Sequence, residues 1–355
     1  MKPIIIRAIL VGTAAAMAAF SQIPTPAGKT TGPGVIAASD AREPEVLKTC
    51  KVPPPTPAGG RGPGRGPAPA PTPLPREYTV SAIPGVIAAG QQWKEVWQVD
   101  FNNADGLVPT KDGGLLIPEN DLSIVVKLDK DGKVSTAYSG TNTGGSLAVN
   151  SKGALFVANR GLNASIEQLA PQRKTLANKY NDDPLDCVSG FLNDITADSK
   201  GGVYVTMAGT VFYADSKGKV TRFGENLRTN GIVLSGDDKR LFVTNGPALV
   251  AFDVQKDGSL TNQREFAKLE GGGNGDGSAF DMAGRLYVSS NPGVQVIGPD
   301  GKYLGIIPTP RPPYGVTFSG PDRKTLYIIG GSAAQGKNWV MGIQTIAQGP
   351  KGRAK

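Results

Sequence analysis

The chain has 355 residues, 39% of them apolar, and carries a formal charge of +8 with no histidine at all. The missing histidine excludes Ser-His-Asp and Cys-His catalysis in their usual form and any zinc site that needs imidazole. The charge does not mark a basic groove on the body: it sits in residues 1–90 and in the tail "KGRAK", which leaves residues 91–350 near neutral.

The N-terminus reads as an export signal over residues 1–18. Lys2 and Arg7 precede the apolar run Ala8 to Phe20, and Ala16-Met17-Ala18 offers a small-x-small cleavage site. A periplasmic or secreted protein without a membrane span follows, since no later stretch is long and apolar enough to cross a bilayer. Residues 19–90 read as a disordered or extended arm. Within it, residues 52–75 form a Pro/Gly-rich linker that cannot pack a core. The hexapeptide "PGVIAA" occurs at 33–38 and again at 84–89. Cys50 and Cys187 either pair, tying the arm to the body, or remain two inert thiols; the sequence leaves both open.

From residue 91 to 347 one unit repeats. A turn followed by an apolar strand appears in "KDGGLLIP", "SKGALFVAN", "SKGGVYVT", "GDDKRLFVTN", "AGRLYVSS" and "PDRKTLYIIG", with the strands beginning at Leu115, Leu155, Val203, Leu241, Leu286 and Leu326. Most intervals hold a second hairpin signal, such as "KLDKDGKVS" or "IGPDGKYLG". Repeats of about 40–45 residues with four short strands are the size of a propeller blade. The expected fold is all-β, a six-bladed β-propeller around a central channel, followed by a basic tail at 348–355.

Segments just before these turns should be the innermost strands: "ADGLVPT", "GGSLAVN", "LNDITAD", "TNGIVLS", "GDGSAFD" and "PYGVTFS". Their second residues form a column: Asp105, Gly145, Asn193, Asn230, Asp276 and Tyr314. Equivalent ends of innermost strands face one axial point, so Asp105, Asn193, Asn230 and Asp276 would converge as oxygen donors. Such a set suits one divalent ion, calcium before magnesium, manganese or zinc. Gly106, Gly231 and Gly277, beside the column, would let backbone and ligand approach closely. Taken singly, each Asp-Gly or Asn-Gly is only a turn signal; four in register point to a site. "DKDGKVS" lacks the ligand pattern of a calcium hand and reads as a hairpin turn. "GGGNGDG" at 271–277 precedes no helix, which weakens a dinucleotide reading.

At this column the chain resembles the gluconolactonase/senescence-marker-protein/luciferin-regenerating-enzyme family of six-bladed propellers. The likeness is strongest in "ENLRTNGIVLSGDDKRLFVTN", "VAFDVQKDGSLTNQREFAKLEGGGNGDGSAFDMAGRLYV" and "GPDRKTLYIIG". The resemblance implies a metal held by Asn230, Asp276 and a first-blade acid, with Asn193 near substrate. Asp105 stands where the family usually has glutamate. The arginine that can precede the family's Asn-Asp pair is replaced by Phe191-Leu192, and the short "TMAGTVFYAD" replaces a longer acidic loop.

The implied activity is metal-dependent hydrolysis of a lactone or related ester. Asp276 would assist proton transfer and Asn193 would position substrate. A monomer is expected, with a small-molecule partner and no nucleic acid. The rival expectation is a non-catalytic propeller whose structural ion supports a binding face.

Overall fold

Six four-stranded antiparallel sheets follow one another around a ring. They are seen in a computed structural model that describes residues 42–52, 75–100, 106–188, 190–332 and 337–355. The proposed signal segment and most of the linker lie outside the described residues.

The six landmark strands are each the second strand of a blade: Leu115–Glu119, Leu155–Asn159, Val203–Met207, Arg240–Asn245, Leu286–Ser290 and Thr325–Ser332. Before them run the innermost strands Val108–Pro109, Gly144–Val149, Ile195–Ala197, Thr229–Leu234, Gly275–Phe280 and Gly315–Ser319. The hairpin reading of "DKDGKVS" also holds. Asp129 Oδ1 accepts from the amides of Asp131 and Lys133 at 2.9 Å, which closes the turn between Ile124–Leu128 and Val134–Ser139.

Blades pack face to face, so both faces of the inner strands are buried and the alternation of side chains sorts them between two neighbours. In the third blade, Val203 and Val205 pack with Phe156 and Ile166 of the second. Tyr204, between them in sequence, packs with Leu241 and Val243 of the fourth. The same division places Tyr287 against Phe318 and Trp339, while Leu286 and Val288 meet Phe242 and Leu249. Each fully buried side chain of this kind contributes about 1.5–3 kcal/mol.

The sixth blade closes the ring with strands from both ends of the propeller. Its order is Gly315–Ser319, Thr325–Ser332, Lys337–Gln344 and, outermost, Lys94–Asp100, with Lys94 opposite Gly342.

Within the stretch read as an arm, the described residues 42–52 and 75–90 pack against the propeller. Glu43–Leu47 is a short helix, and Cys50 is bonded to Cys187, whose Cα is 5.5 Å away. Farther along, Val86 and Ile87 of the second "PGVIAA" are fully buried with Trp93 against the fifth and sixth blades. Trp93 Nε1 donates to the carbonyl of Pro308 at 2.8 Å. Composition alone hides this packing, because the apolar residues come in a short run and their partner surface belongs to distant blades. The first "PGVIAA", at 33–38, lies outside the described residues.

Residues 349–355 are docked as well. Set apart from the body in the sequence reading, they lie across the face on which the inner strands end. Gly349 N donates to Arg323 O, Ala354 pairs with Val149, and Ala197 N donates to Lys355 O at 3.3 Å.

Candidate functional site

Three of the innermost strands begin with the same irregularity. The pairing register shifts between Gly144 and Ser146, between Thr229 and Ile232, and between Gly275 and Ser278. Column residues Gly145, Asn230 and Asp276 fall inside these shifts. A bulge releases its residues from the ladder and re-aims them, which is why the strand does not simply consume these positions in pairing.

The glycines beside the column have a specific task. A Cβ on Gly231 would stand 2.1 Å from the carbonyl oxygen of Asp276, and one on Gly277 would stand 2.9 Å from that of Tyr314. A Cβ on Gly106 would meet Ser146 Oγ at 2.1 Å. What they admit is therefore the inner strand of a neighbouring blade, a tighter and more general constraint than ligand access. Gly277 N, for example, donates to Tyr314 O at 2.7 Å.

Asn193 and Asn230 come together: Asn193 Nδ2 donates to Asn230 Oδ1 at 2.6 Å. Backbone contacts hold both. Asn193 N donates to Thr206 O at 2.8 Å, and Thr206 Oγ1 donates to Asn230 O. Asp276 follows around the ring, its carbonyl against Gly231. All three are half-buried, as expected at the mouth of a channel. Tyr314 turns back on its own blade and donates through its hydroxyl to Gly331 O at 3.0 Å. Asp105 lies outside the described residues.

Gly145 leaves room for a residue the column did not include. Arg160, fully buried, fills its position: a Cβ on Gly145 would be 2.2 Å from Arg160 Cζ. The guanidinium donates from Nε to Leu192 O at 2.8 Å and from Nη2 to Asn193 O at 2.5 Å. It also stands over the Phe191 ring at 5.3 Å. An arginine thus reaches the Phe191-Leu192-Asn193 segment from the second blade and not from the preceding sequence position. The signal available in sequence was a charged residue directly after the apolar strand Leu155–Asn159, in a blade whose column residue is glycine.

A second acidic feature adjoins this face. Glu119 is buried, and Asn120 Nδ2 donates to Thr143 O at 3.3 Å, just before the second inner strand. Burial pushes the Asp121 carboxyl up to about 6 and raises that of Glu119, which the charge of Asp121 raises further.

The column donors on the described residues are two carboxamides and one carboxylate, all hard oxygen ligands, and Asp105 would add a second charge. This chemistry fits a calcium-like ion. Among the described residues no group of three or more His, Cys, Asp or Glu gathers to hold a metal, and the column donor oxygens described there are those of Asn193, Asn230 and Asp276.

Comparison with known proteins bears on the same region. The model of the SMP-30/Gluconolactonase/LRE-like region matches residues 121–332. A gluconolactonase of Zymomonas mobilis is 25% identical over 289 residues, covering 68% of this chain and 77% of that protein. A 6-deoxy-6-sulfogluconolactonase of Pseudomonas putida is 37% identical over 113 residues, 30% of this chain and 38% of the relative. Among solved structures, a gluconolactonase of Xanthomonas campestris superposes with a TM-score of 0.62 at 21% identity, covering 81% of this chain and all of that one. Regucalcin of Agrobacterium tumefaciens, described as a calcium-binding protein, gives 0.59 at 16% identity, with 74% and 98% covered.

Proposed function

Because the chain belongs to the SMP-30/gluconolactonase/LRE-like family, we propose that it hydrolyses a lactone or related ester at the mouth of its channel, with a divalent ion held by Asn230, Asp276, Asn193 and Asp105. The observation that carries this reading is the meeting of Asn193 and Asn230 beside the Asp276 strand. Family membership supports lactone chemistry, and the all-oxygen donor set supports calcium.

When bound, such an ion supplies Lewis acidity toward a carbonyl oxygen. The chain's own residues do the rest. Asp276 accepts a proton from the attacking water and returns it to the leaving alkoxide. Asn193 orients the substrate through its carboxamide, and Arg160, bonded to the carbonyls of Leu192 and Asn193, fixes the segment that presents it. Export to the periplasm or medium belongs to the same proposal, and the Cys50–Cys187 bond supports it.

Elemental analysis of purified protein, followed by a lactone panel with and without chelator, tests the reading. Turnover that disappears with chelator and returns with calcium is expected. An ion present without turnover of any lactone or ester would favour a binding module with a structural ion.

A further inference from the structure

The basic tail brings Lys355 in among the innermost strands. Lys355 Nζ is bonded to Asp194 Oδ1, and both side chains are shut off from solvent, at 1% and 0% exposure. The same ammonium lies near the fifth blade: a Cβ on Gly277 would be 3.5 Å from it. It therefore sits between Asp194 and Gly277, the residues that directly follow Asn193 and Asp276.

Asp194 is a clamp between blades. Its Oδ1 accepts from Ser146 Oγ at 2.5 Å and from Ile195 N at 3.0 Å, and its Oδ2 accepts from Ile232 N at 3.1 Å. One carboxylate thus joins the inner strands of the second, third and fourth blades, immediately below the Asn193–Asn230 contact. A buried carboxylate needs a buried counter-charge, and Lys355 provides it. The tail that delivers it is itself anchored: Arg353 is ion-paired with Asp238, and its Nη1 donates to Ser235 O at 2.7 Å. Met282 N donates to Gln348 O at 2.8 Å where the tail enters.

We propose that Lys355 is a positioning residue of the candidate site. Its ammonium is a tethered cation between the inner strands of the third and fifth blades, and it holds Asp194 and with it the backbone that carries Asn193 and Asn230. As a statement about catalysis this rests on the lactonase reading; as a statement about Lys355 and Asp194 it does not.

The test compares the parent with Lys355→Met, Asp194→Asn and the double variant in the full chain. Lys355→Met should lower the melting temperature by about 6–10 °C, as expected when one partner of a buried ion pair is removed. Adding Asp194→Asn should recover at least half of that loss, because no charge is then left uncompensated. Amide hydrogen exchange supplies the local readout. In Lys355→Met, protection should fall in peptides spanning 190–196 and 229–234 and hold in 286–290, and the double variant should restore it. Failure of rescue, or an equal loss of protection in all three regions, would overturn the proposal and reduce the tail to packing. Calcium titration of the parent is read separately: a parent that binds none loses the ion of the proposed function, while the rescue result still decides Lys355.

Discussion

Asn193 donates its side-chain amide to the side-chain carbonyl of Asn230, 37 positions later in the chain, at 2.6 Å. The two blades are thus joined side chain to side chain where their inner strands begin, beside the bonds from Thr206 Oγ1 to Asn230 O and from Ile232 N to Asp194 Oδ2. Asn230→Ala removes a donor oxygen and the Asn193 hydrogen bond but no part of the apolar interblade clusters. Calcium affinity should fall at least about tenfold, the equivalent of one lost charged-group contact, with little change in melting temperature. Calorimetric titration decides; unchanged affinity would leave Asn230 a turn residue.

Asp276→Ala should reduce lactone hydrolysis by at least about 100-fold if the carboxylate moves the proton. The side chain is half-buried at the channel mouth and belongs to none of the interblade clusters. The variant should therefore keep its circular dichroism and melt within a few degrees of the parent. Retention of most activity would remove Asp276 from the chemistry.

Asp121 makes a pH-dependent contribution whose sign follows from its environment. Burial lifts its carboxyl from 3.8 to about 6, so the folded chain binds this proton more tightly than the unfolded chain does. Stability from this group is highest below about 4 and is lost as pH rises to about 6. Asp121→Asn should flatten the curve of melting temperature between pH 4 and 6 and raise it at pH 7. Parallel curves for parent and variant would refute the assignment.

The Cys50–Cys187 bond closes a separation of 137 residues and fastens the segment around Glu43–Leu47, where Lys51 N also donates to Asp183 Oδ2 at 3.1 Å. Cross-links over loops of this length restrict the unfolded chain by up to about 4–5 kcal/mol. Cys50→Ser should lower the melting temperature by several degrees, and reductant should bring the parent down to the variant. If reductant leaves the parent unchanged, the bond adds nothing to stability.

Much of the fold was legible because its signals are local. Each blade announces its second strand with a turn and an apolar run, and all six landmarks, from Leu115 to Leu326, lie in such strands. The places of Asn230 and Asp276 at the starts of inner strands were legible for the same reason: a bulge followed by an obligatory glycine leaves the short signature Asn-Gly or Asp-Gly. What stayed hidden is non-local. Lys94–Asp100 pairs with a strand at the far end of the propeller, and nothing in its own residues names that partner. Arg160 was missed because its place in the column is marked only by the absence of a side chain at Gly145. Lys355 was missed because composition describes a tail as solvated charge, whereas its partner Asp194 looks in sequence like one more turn former.

The sixth blade joins a strand at Lys94–Asp100 to others at 315–344, and that arrangement sets a timetable for biosynthesis. Lys94–Asp100 leaves the ribosome about 240 residues before the strand it must pair with. At about 5–20 residues per second, that is a wait of order 10–50 s. During that interval five blades can condense in order, while the opening strand remains an unpaired edge. Chaperone occupancy on a nascent chain should therefore concentrate on this segment and drop only after residue 344 has emerged, whatever the stability of the finished ring.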